Sequence, residues 1–103
     1  MFVVVYEFIV ADGKDEVFTS SWLNVTKAFY AESGSLGSRL HKTQSPSIYV
    51  AYAQWPSKES WSQANLLLEG NLDAFSRMRE CLVSSKVVYE LEVDLDYLKS
   101  ETK

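Results

Sequence analysis

The chain has 103 residues, of which ten are basic and fourteen are acidic, and its net charge is −4. This length predicts a single domain spanning 1–103. Hydrophobic residues make up 47% and charged residues 23%, which is typical of a folded globular domain and excludes a disordered one. The acidic balance argues against nucleic acid as a partner, because phosphates attract basic surfaces. The aromatic share of 14% is high for a small core, so we expect some rings to line a pocket or an interface.

The apolar stretch at the start of the sequence does not predict a membrane segment. Phe2–Val10 is too short to cross a bilayer as a helix, contains Glu7 and has no basic lead. Cys81 is the only cysteine, which excludes a disulfide within the chain and a metal site built from several cysteines. We therefore expect a cytoplasmic protein that binds neither membrane nor nucleic acid.

The first predicted strand, Phe2–Val10, has apolar side chains on both of its faces. Glu7 alone interrupts it. A buried carboxylate needs a partner or a functional reason. Two interpretations remain open, namely an ion pair with Arg39 or across a dimer, and an acid/base group.

A turn at Asp12-Gly13 leads into an amphipathic helix predicted from about Lys14 to Glu32. Its apolar residues recur at helical steps of four, three and four, at Phe18, Trp22, Val25 and Phe29. Asp12 or Asp15 is suited to cap its start, and Gly34 is suited to end it in a left-handed conformation.

Two further strands follow this helix. Ser35–Thr43 carries charged residues, which is typical of a sheet edge, and Gln44 to Pro46 turn the chain. Ile48–Trp55 is almost entirely apolar, which predicts a strand covered on both faces.

Pro56 ends that strand, and Ser57 is a good N-cap for a helix that buries Trp61, Ala64, Leu67 and Leu68. Gly70 closes this helix and Asn71 caps another, whose apolar side comprises Leu72, Phe75, Met78 and Leu82. The last predicted strand, Val87–Leu95, alternates strictly. Its buried face is expected to hold Val87, Tyr89, Leu91, Val93 and Leu95.

This order of elements predicts an α+β fold of the ferredoxin-like type, a four-stranded antiparallel sheet with helices on one face. The first and third strands are then central, which agrees with their apolar composition. Because both are apolar on the face that no helix covers, we expect a second copy of the chain to cover it in a homodimer.

The residues with chemical potential are few. His41, the only histidine, alternates away from Leu40 on the edge strand, so it is either a solvated histidine or a general base. Cys81 lies between apolar residues, as a packed thiol does. We find no glycine-rich phosphate loop and no metal-ligand spacing, so no cofactor is predicted. Trp55 and Trp61 flank one strand-to-helix corner, either as a core anchor or as the wall of an aromatic pocket.

The sequence resembles the antibiotic biosynthesis monooxygenase family. The resemblance rests on Gly13 with Phe18, on the segment Gly34-Ser35-Leu36-Gly37-Ser38-Arg39-Leu40, and on Tyr49, Trp55, Ser57 and Trp61. It implies a dimeric α/β barrel. It also implies one of two activities, because some members oxidise polycyclic phenols or quinols with oxygen and no cofactor, and others degrade haem.

Departures from the family pattern argue against haem degradation. Tyr6 stands where the haem-degrading members have an asparagine, and Ala64 stands where many members have a tryptophan or histidine. The later predicted helices contain no histidine.

Two hypotheses about function follow from the resemblance. The first is a cofactor-independent monooxygenase that acts on a small aromatic ligand in a dry aromatic cavity. Its candidate catalytic residues are Tyr6, Trp61 and His41, and its candidate substrate-binding residues are Arg39, Tyr52, Trp22 and Phe75. The second is a non-catalytic dimeric module that binds a small apolar ligand.

Overall fold

Four strands and three helices make up the part of the chain that the computed structural model describes, residues 1–68 and 73–98. In chain order they are β1 (Phe2–Val10), α1 (Asp15–Glu32), β2 (Gly37–Lys42), β3 (Ile48–Trp55), α2 (Lys58–Leu68), α3 (Asp73–Glu80) and β4 (Leu82–Glu92). The helix end predicted at Gly70, the cap predicted at Asn71 and the buried Leu72 lie outside the described residues.

The strands form one antiparallel sheet in the order β2-β3-β1-β4. The predicted ferredoxin-like arrangement is therefore confirmed, with β1 and β3 central and β2 and β4 at the edges. The sheet has two different sides. We call the side that packs against the helices the helix face, which in β1 carries Phe2, Val4, Tyr6, Phe8 and Val10. We call the opposite side the outer face, which in β1 carries Val3, Val5, Glu7 and Ile9.

The core lies between the helix face and α1. Phe18, fully buried on α1, inserts between Phe8 of β1 and Tyr49 of β3, with ring centroids 5.3 and 5.2 Å away. Such tilted aromatic pairs add specific ring contacts to the burial of apolar area. The helical spacing of the apolar residues on α1 thus positions this helix over the centre of the sheet.

The ends of the first helix differ in part from the prediction. Neither Asp12 nor Asp15 caps it, because Lys14 occupies the N-cap position and makes no side-chain hydrogen bond there. Asp15 instead accepts a hydrogen bond from the Tyr49 hydroxyl, at 2.8 Å. At the other end, Gly34 has the expected left-handed conformation, with a φ of 83°. The predicted cap of α2 is confirmed, since the Ser57 Oγ accepts from the Ser60 amide at 3.1 Å.

The prediction for β4 is wrong in its bounds and in its buried face. The strand begins at Leu82, which the helical spacing assigns to the preceding helix, and it ends at Glu92 rather than at Leu95. Val88 is an extra residue in the ladder, since Val87 pairs with Tyr6 while Tyr89 pairs with Val5. Such a bulge reverses the side on which the following residues lie. Val87 therefore lies on the helix face and Tyr89 on the outer face, and both are exposed.

The outer face is only partly covered in one copy of the chain. In β3, burial alternates strictly, and the outer residues Ile48, Val50, Tyr52 and Gln54 are half-buried, so within one copy this strand is fully covered only on the helix face. The sequence predicts that the outer residues of β1 are uncovered in one copy. Val3 does not follow this prediction, because it is only 2% exposed. It lines a groove with Leu91 and residues 93–98, which follow β4.

Glu7 has an ion-pair partner other than the one considered from the sequence. Its carboxylate lies 3.6 Å from the ammonium group of Lys86, the residue opposite it on β4. The Glu7 side chain is partly exposed and that of Lys86 is largely exposed, so this pair contributes little to stability. The sequence did not suggest Lys86 as the partner because β4 begins earlier than predicted, and Lys86 lies outside the predicted strand.

Candidate functional site

A cavity of about 370 Å³ lies between the helix face of the sheet and helices α1 and α3. Aromatic and apolar side chains from all of these elements form most of its wall: Tyr6, Phe8, Trp22, Val25, Phe29, Trp55, Phe75 and Met78. Small residues at the centre of β3, Ala51 and Ala53, leave the space that these larger side chains enclose. A concave, largely apolar cavity with a few polar groups is the usual form of a small-molecule site.

Tyr6 projects from the central strand into this cavity, and Trp61 supports it from α2. The Nε1 of Trp61 donates a hydrogen bond to the Tyr6 hydroxyl at 2.7 Å. Trp61 also packs on Phe2, with ring centroids 5.8 Å apart, and it is not among the side chains that line the cavity. Trp61 therefore contacts the cavity through Tyr6 rather than as part of its wall.

Trp55 ends β3 and closes another part of the wall. It is 3% exposed and meets Phe29 edge to face, with centroids 5.6 Å apart and an angle of 77°. Its Nε1 has no hydrogen-bond partner among the described residues. A buried donor without a partner is costly. Trp55 is thus both a core anchor and a wall residue, so the two interpretations of the tryptophan corner both apply to it.

Polar groups also line the cavity, and sequence reasoning missed most of them. Arg79 reaches it from α3, with its guanidinium carbon 5.8 Å from the centre of the Phe75 ring. Besides Tyr6, the hydroxyl-bearing residues of the lining are Thr26, Ser35, Ser38 and Ser85. A signal for Arg79 was available, because it follows Phe75 by four residues and therefore shares its side of the helix.

The structure divides the predicted site residues between the two sides of the sheet. Tyr6, Trp22 and Phe75 line the cavity, and Trp61 lies behind Tyr6.

The other three candidates, Arg39, His41 and Tyr52, line a shallow groove on the outer face together with Gln54 and Leu98. Their register explains this, because His41 pairs with Val50 and Arg39 with Tyr52, all on the outer side of their strands. The His41 Nδ1 donates to the Val50 carbonyl oxygen at 3.0 Å. The structure therefore does not bring these residues together with Tyr6 and Trp61.

Within residues 1–68 and 73–98, no group of three or more His, Cys, Asp and Glu side chains is placed to hold a metal ion. None of the described helices combines the length and the apolar character that crossing a membrane requires.

Comparison with known proteins identifies both a family and a fold. The model of a family described as antibiotic biosynthesis monooxygenase matches residues 1–65. No curated protein matches the sequence. Among solved structures, SnoaB of Streptomyces nogalater, described as a cofactor-independent oxygenase, superposes with a TM-score of 0.77 at 20% identity, over 95% of this chain and 97% of its own.

Two other structures agree with this fold. A proposed antibiotic biosynthesis monooxygenase from Bordetella bronchiseptica superposes with a TM-score of 0.78 at 16% identity, over 91% of this chain and 97% of its own. A protein from Pseudomonas aeruginosa superposes with a TM-score of 0.69 at 19% identity, over 91% of this chain and 94% of its own. At such identities the likeness establishes the fold alone.

Proposed function

Because the chain belongs to the antibiotic biosynthesis monooxygenase family, we propose that it oxidises a small aromatic, quinol-like molecule with O₂ and without a cofactor. One observation carries this proposal, namely an aromatic cavity whose lining includes Tyr6 and Arg79. SnoaB, which shares the fold, is described as a cofactor-independent oxygenase, and this supports the same chemistry here.

The cavity favours a flat ligand of two or three fused rings. Its volume of about 370 Å³ is near the lower end of small-molecule sites, which span roughly 300–1,000 Å³. Trp22, Phe29 and Phe75 offer faces and edges against which a planar ring system can stack. The hydroxyl-bearing side chains of the lining can bind oxygen substituents on such rings.

Oxygen chemistry without a cofactor requires the substrate to supply the electrons. A phenol or an anthrone-like CH₂ group that loses a proton becomes an anion, which can transfer one electron to O₂. The two radicals then combine into a peroxide anion, which takes up the proton lost in the first step, and loss of water leaves a carbonyl. One oxygen atom enters the product and the other leaves as water, and the substrate provides all four electrons.

In this reaction the residues of the cavity stabilise the substrate anion. The positive charge of Arg79 lowers the free energy of an anionic substrate relative to its neutral form. Tyr6 belongs to the same lining, and its hydroxyl can hydrogen-bond to the oxygen on which negative charge develops. The apolar wall excludes water around Tyr6 and so strengthens its hydrogen bond, whereas Arg79 is exposed and its charge is more strongly screened.

Oxygen uptake tests the proposal directly. The purified protein is incubated with a panel of dihydroxynaphthalenes and anthrones, with a chelator present to remove stray metal. We expect uptake above the uncatalysed rate with at least one of them, and a carbonyl product that contains one labelled atom from ¹⁸O₂. If no compound is consumed faster than in buffer while one of them binds, the protein is a non-catalytic binding module.

We also propose that the protein is a homodimer joined through the outer face. No described helix covers this side of the sheet, and it presents half-buried apolar residues such as Val5, Ile9 and Val50 beside the exposed Tyr89 and Leu91. A stable interface buries about 800 Å² on each partner, and a sheet face of this size can supply that area. A two-fold axis would bring the same apolar strip of both copies together.

The Val5→Asp substitution tests this interface. It would bury an unpaired carboxylate twice in a symmetric dimer, so we expect dissociation to monomers in light scattering at micromolar concentration. Val17→Asp, at an exposed position of α1, is the matched control and should leave the dimer unchanged. A wild-type mass near 11.7 kDa would refute the dimer.

A further inference from the structure

Two alanines interrupt a row of large side chains on the helix face of β3. In chain order this row holds Tyr49, Ala51, Ala53 and Trp55, and all four are buried. An alanine side chain ends at its β-carbon, so two of them in succession leave space between the two aromatic residues. Both alanines belong to the lining of the cavity. We call the space above them the alanine trough.

The trough lies where the hydrophobic core divides into two clusters. Ala51 packs in the cluster that contains Val25 and Met78, whereas Ala53 packs in the cluster that contains Trp55. Phe29 of α1 packs against both clusters. Protein interiors are normally close-packed, and larger side chains at the two alanine positions would join the clusters into one core. The small residues of β3 therefore keep this junction open.

The walls of the trough are apolar and deeply buried. Ala51 is 2% exposed, and Val25 and Met78, which line the same cavity from α1 and α3, are at most 8% exposed. The exposed residues of the lining are Arg79 on α3 and Ser85 on β4, so the mouth of the cavity lies on their side. A buried apolar space of this kind stays dry and binds small apolar molecules.

The trough adjoins the residue that we expect to bind the reacting group. Ala51 pairs with Tyr6 across β3 and β1, and β-carbons in such pairs are about 4.5–5.5 Å apart. On its other side Ala51 pairs with Leu40 of β2, which is also apolar. A molecule in the trough would lie beside the Tyr6 side chain and therefore beside a substrate that this side chain binds.

We propose that the alanine trough binds dioxygen, while the aromatic substrate stacks above it on the rings of α1 and α3. This inference rests on the proposed function and assigns a place to its second substrate. Dioxygen is small, uncharged and apolar, so it gains free energy on leaving water and needs no hydrogen-bond donor. In the trough it receives one electron from the neighbouring substrate anion, and the two radicals combine there.

Dissolved dioxygen tests the site without any turnover. Because O₂ is paramagnetic, the methyl protons beside it relax faster as the oxygen pressure over the NMR sample rises. We expect this acceleration to be larger for the methyl groups of Ala51, Ala53 and Val25 than for those of Val4 and Ala64. The latter two residues are equally buried and lie outside the cavity lining. Ala51→Val fills the trough and should remove the difference.

Kinetics separate the site of dioxygen from that of the aromatic substrate. In Ala51→Val we expect kcat/KM for O₂ to fall by about fivefold or more, while anaerobic binding of the aromatic substrate stays within about twofold of the wild type. Ala64→Val, the matched control, adds the same methyl groups to a buried position outside the lining and should change neither value. Overpacking can destabilise a core. If Ala51→Val does not fold, Ala53→Val takes its place in both experiments.

The outcomes distinguish this inference from the proposed function. Equal relaxation of all buried methyl groups overturns the oxygen site, whether or not a substrate is oxidised. Selective relaxation at the trough in a protein that oxidises no compound of the panel supports the oxygen site and refutes the proposed function. If Ala51→Val weakens anaerobic substrate binding and leaves kcat/KM for O₂ unchanged, the trough belongs to the aromatic ring and the inference is overturned. Equal losses in Ala51→Val and Ala64→Val overturn it as well.

Discussion

The indole nitrogen of Trp61 donates a hydrogen bond to the hydroxyl of Tyr6 across 2.7 Å and so connects helix α2 to the central strand β1. An indole N–H can only donate, so the phenol oxygen is the acceptor and its own hydrogen is directed elsewhere. The contact fixes the position of the Tyr6 oxygen, and Tyr6 is one of the residues that line the cavity. Preorganised polar groups of this kind are the ones that stabilise charge during a reaction.

Replacing Tyr6 with Phe should slow oxygen-dependent oxidation while leaving the fold intact. The change removes one hydroxyl and little volume, so the cavity keeps its shape. We expect turnover to be slower by about tenfold or more, because a reaction site loses one hydrogen-bonding group. Because the Trp61 N–H loses its acceptor, the free energy of unfolding should fall by about 1 kcal/mol.

The matched control for this variant is Tyr30→Phe, which removes a hydroxyl from an exposed position on α1. Oxygen uptake and urea denaturation should both give wild-type values for it. Equal turnover by Tyr6→Phe and the wild type would show that the reaction occurs away from Tyr6.

A double-mutant cycle tests whether Trp61 acts through Tyr6. Trp61→Phe keeps a ring against Phe2 and removes the N–H, so we expect slower turnover than in the wild type. If the two residues act as a unit, adding Trp61→Phe to Tyr6→Phe should cost little further activity. Independent effects that multiply in the double variant would contradict this coupling. The measurement is the rate of oxygen uptake at saturating substrate for all four proteins.

The sequence was sufficient to predict the fold because its local signals agree with one another. The apolar composition of the first and third strands identified the centre of the sheet, and Gly34 and Ser57 marked helix ends that the structure contains. The faces of the last strand were predicted wrongly because Val88 is a bulge, and a bulge breaks the alternation from which a strand's faces are read.

The candidate site was predictable only in part. Alternation along β1 places Tyr6 on the helix face of the sheet. Helical spacing places Trp22 on the side of α1 that packs against that face. Alternation along β2 equally places Arg39 and His41 on the opposite side, yet a sequence alone does not show which side of the sheet holds the cavity. That depends on the volume left between the small residues of β3 and the helices, which is a property of tertiary packing.

Arg79→Gln should weaken the action of the protein on substrates that react as anions. The change removes a positive charge from the cavity lining, so we expect about tenfold lower kcat/KM. Arg77→Gln is the matched control, since Arg77 lies on the same helix, is exposed and is absent from the lining. Steady-state oxygen uptake by both variants provides the comparison. A larger loss in Arg77→Gln than in Arg79→Gln would contradict this role.

The contact between Tyr49 and Asp15 predicts a specific dependence of stability on pH. The hydrogen bond to the Asp15 carboxylate, burial and the negative charge of Asp15 together raise the pKa of Tyr49 above its usual value near 10. In the unfolded chain this tyrosine loses its proton near the usual value. Between the two pKa values the folded protein thus holds more protons than the unfolded one, and stability falls as pH rises.

Tyr49→Phe should remove this part of the alkaline loss of stability. The phenyl ring keeps its contact with Phe18, whose centroid is 5.2 Å from that of Tyr49, so the variant should fold. Above about pH 10, the free energy of unfolding of this variant should fall less steeply with pH than that of the wild type. The two slopes should differ by up to about 1.4 kcal/mol per pH unit, which is the effect of one proton. Urea denaturation from pH 8 to 11 measures both slopes, and Asp15→Asn, which removes the main cause of the raised pKa, should also make the slope shallower. Parallel slopes for the wild type and Tyr49→Phe would show that Tyr49 ionises alike in the folded and unfolded chains.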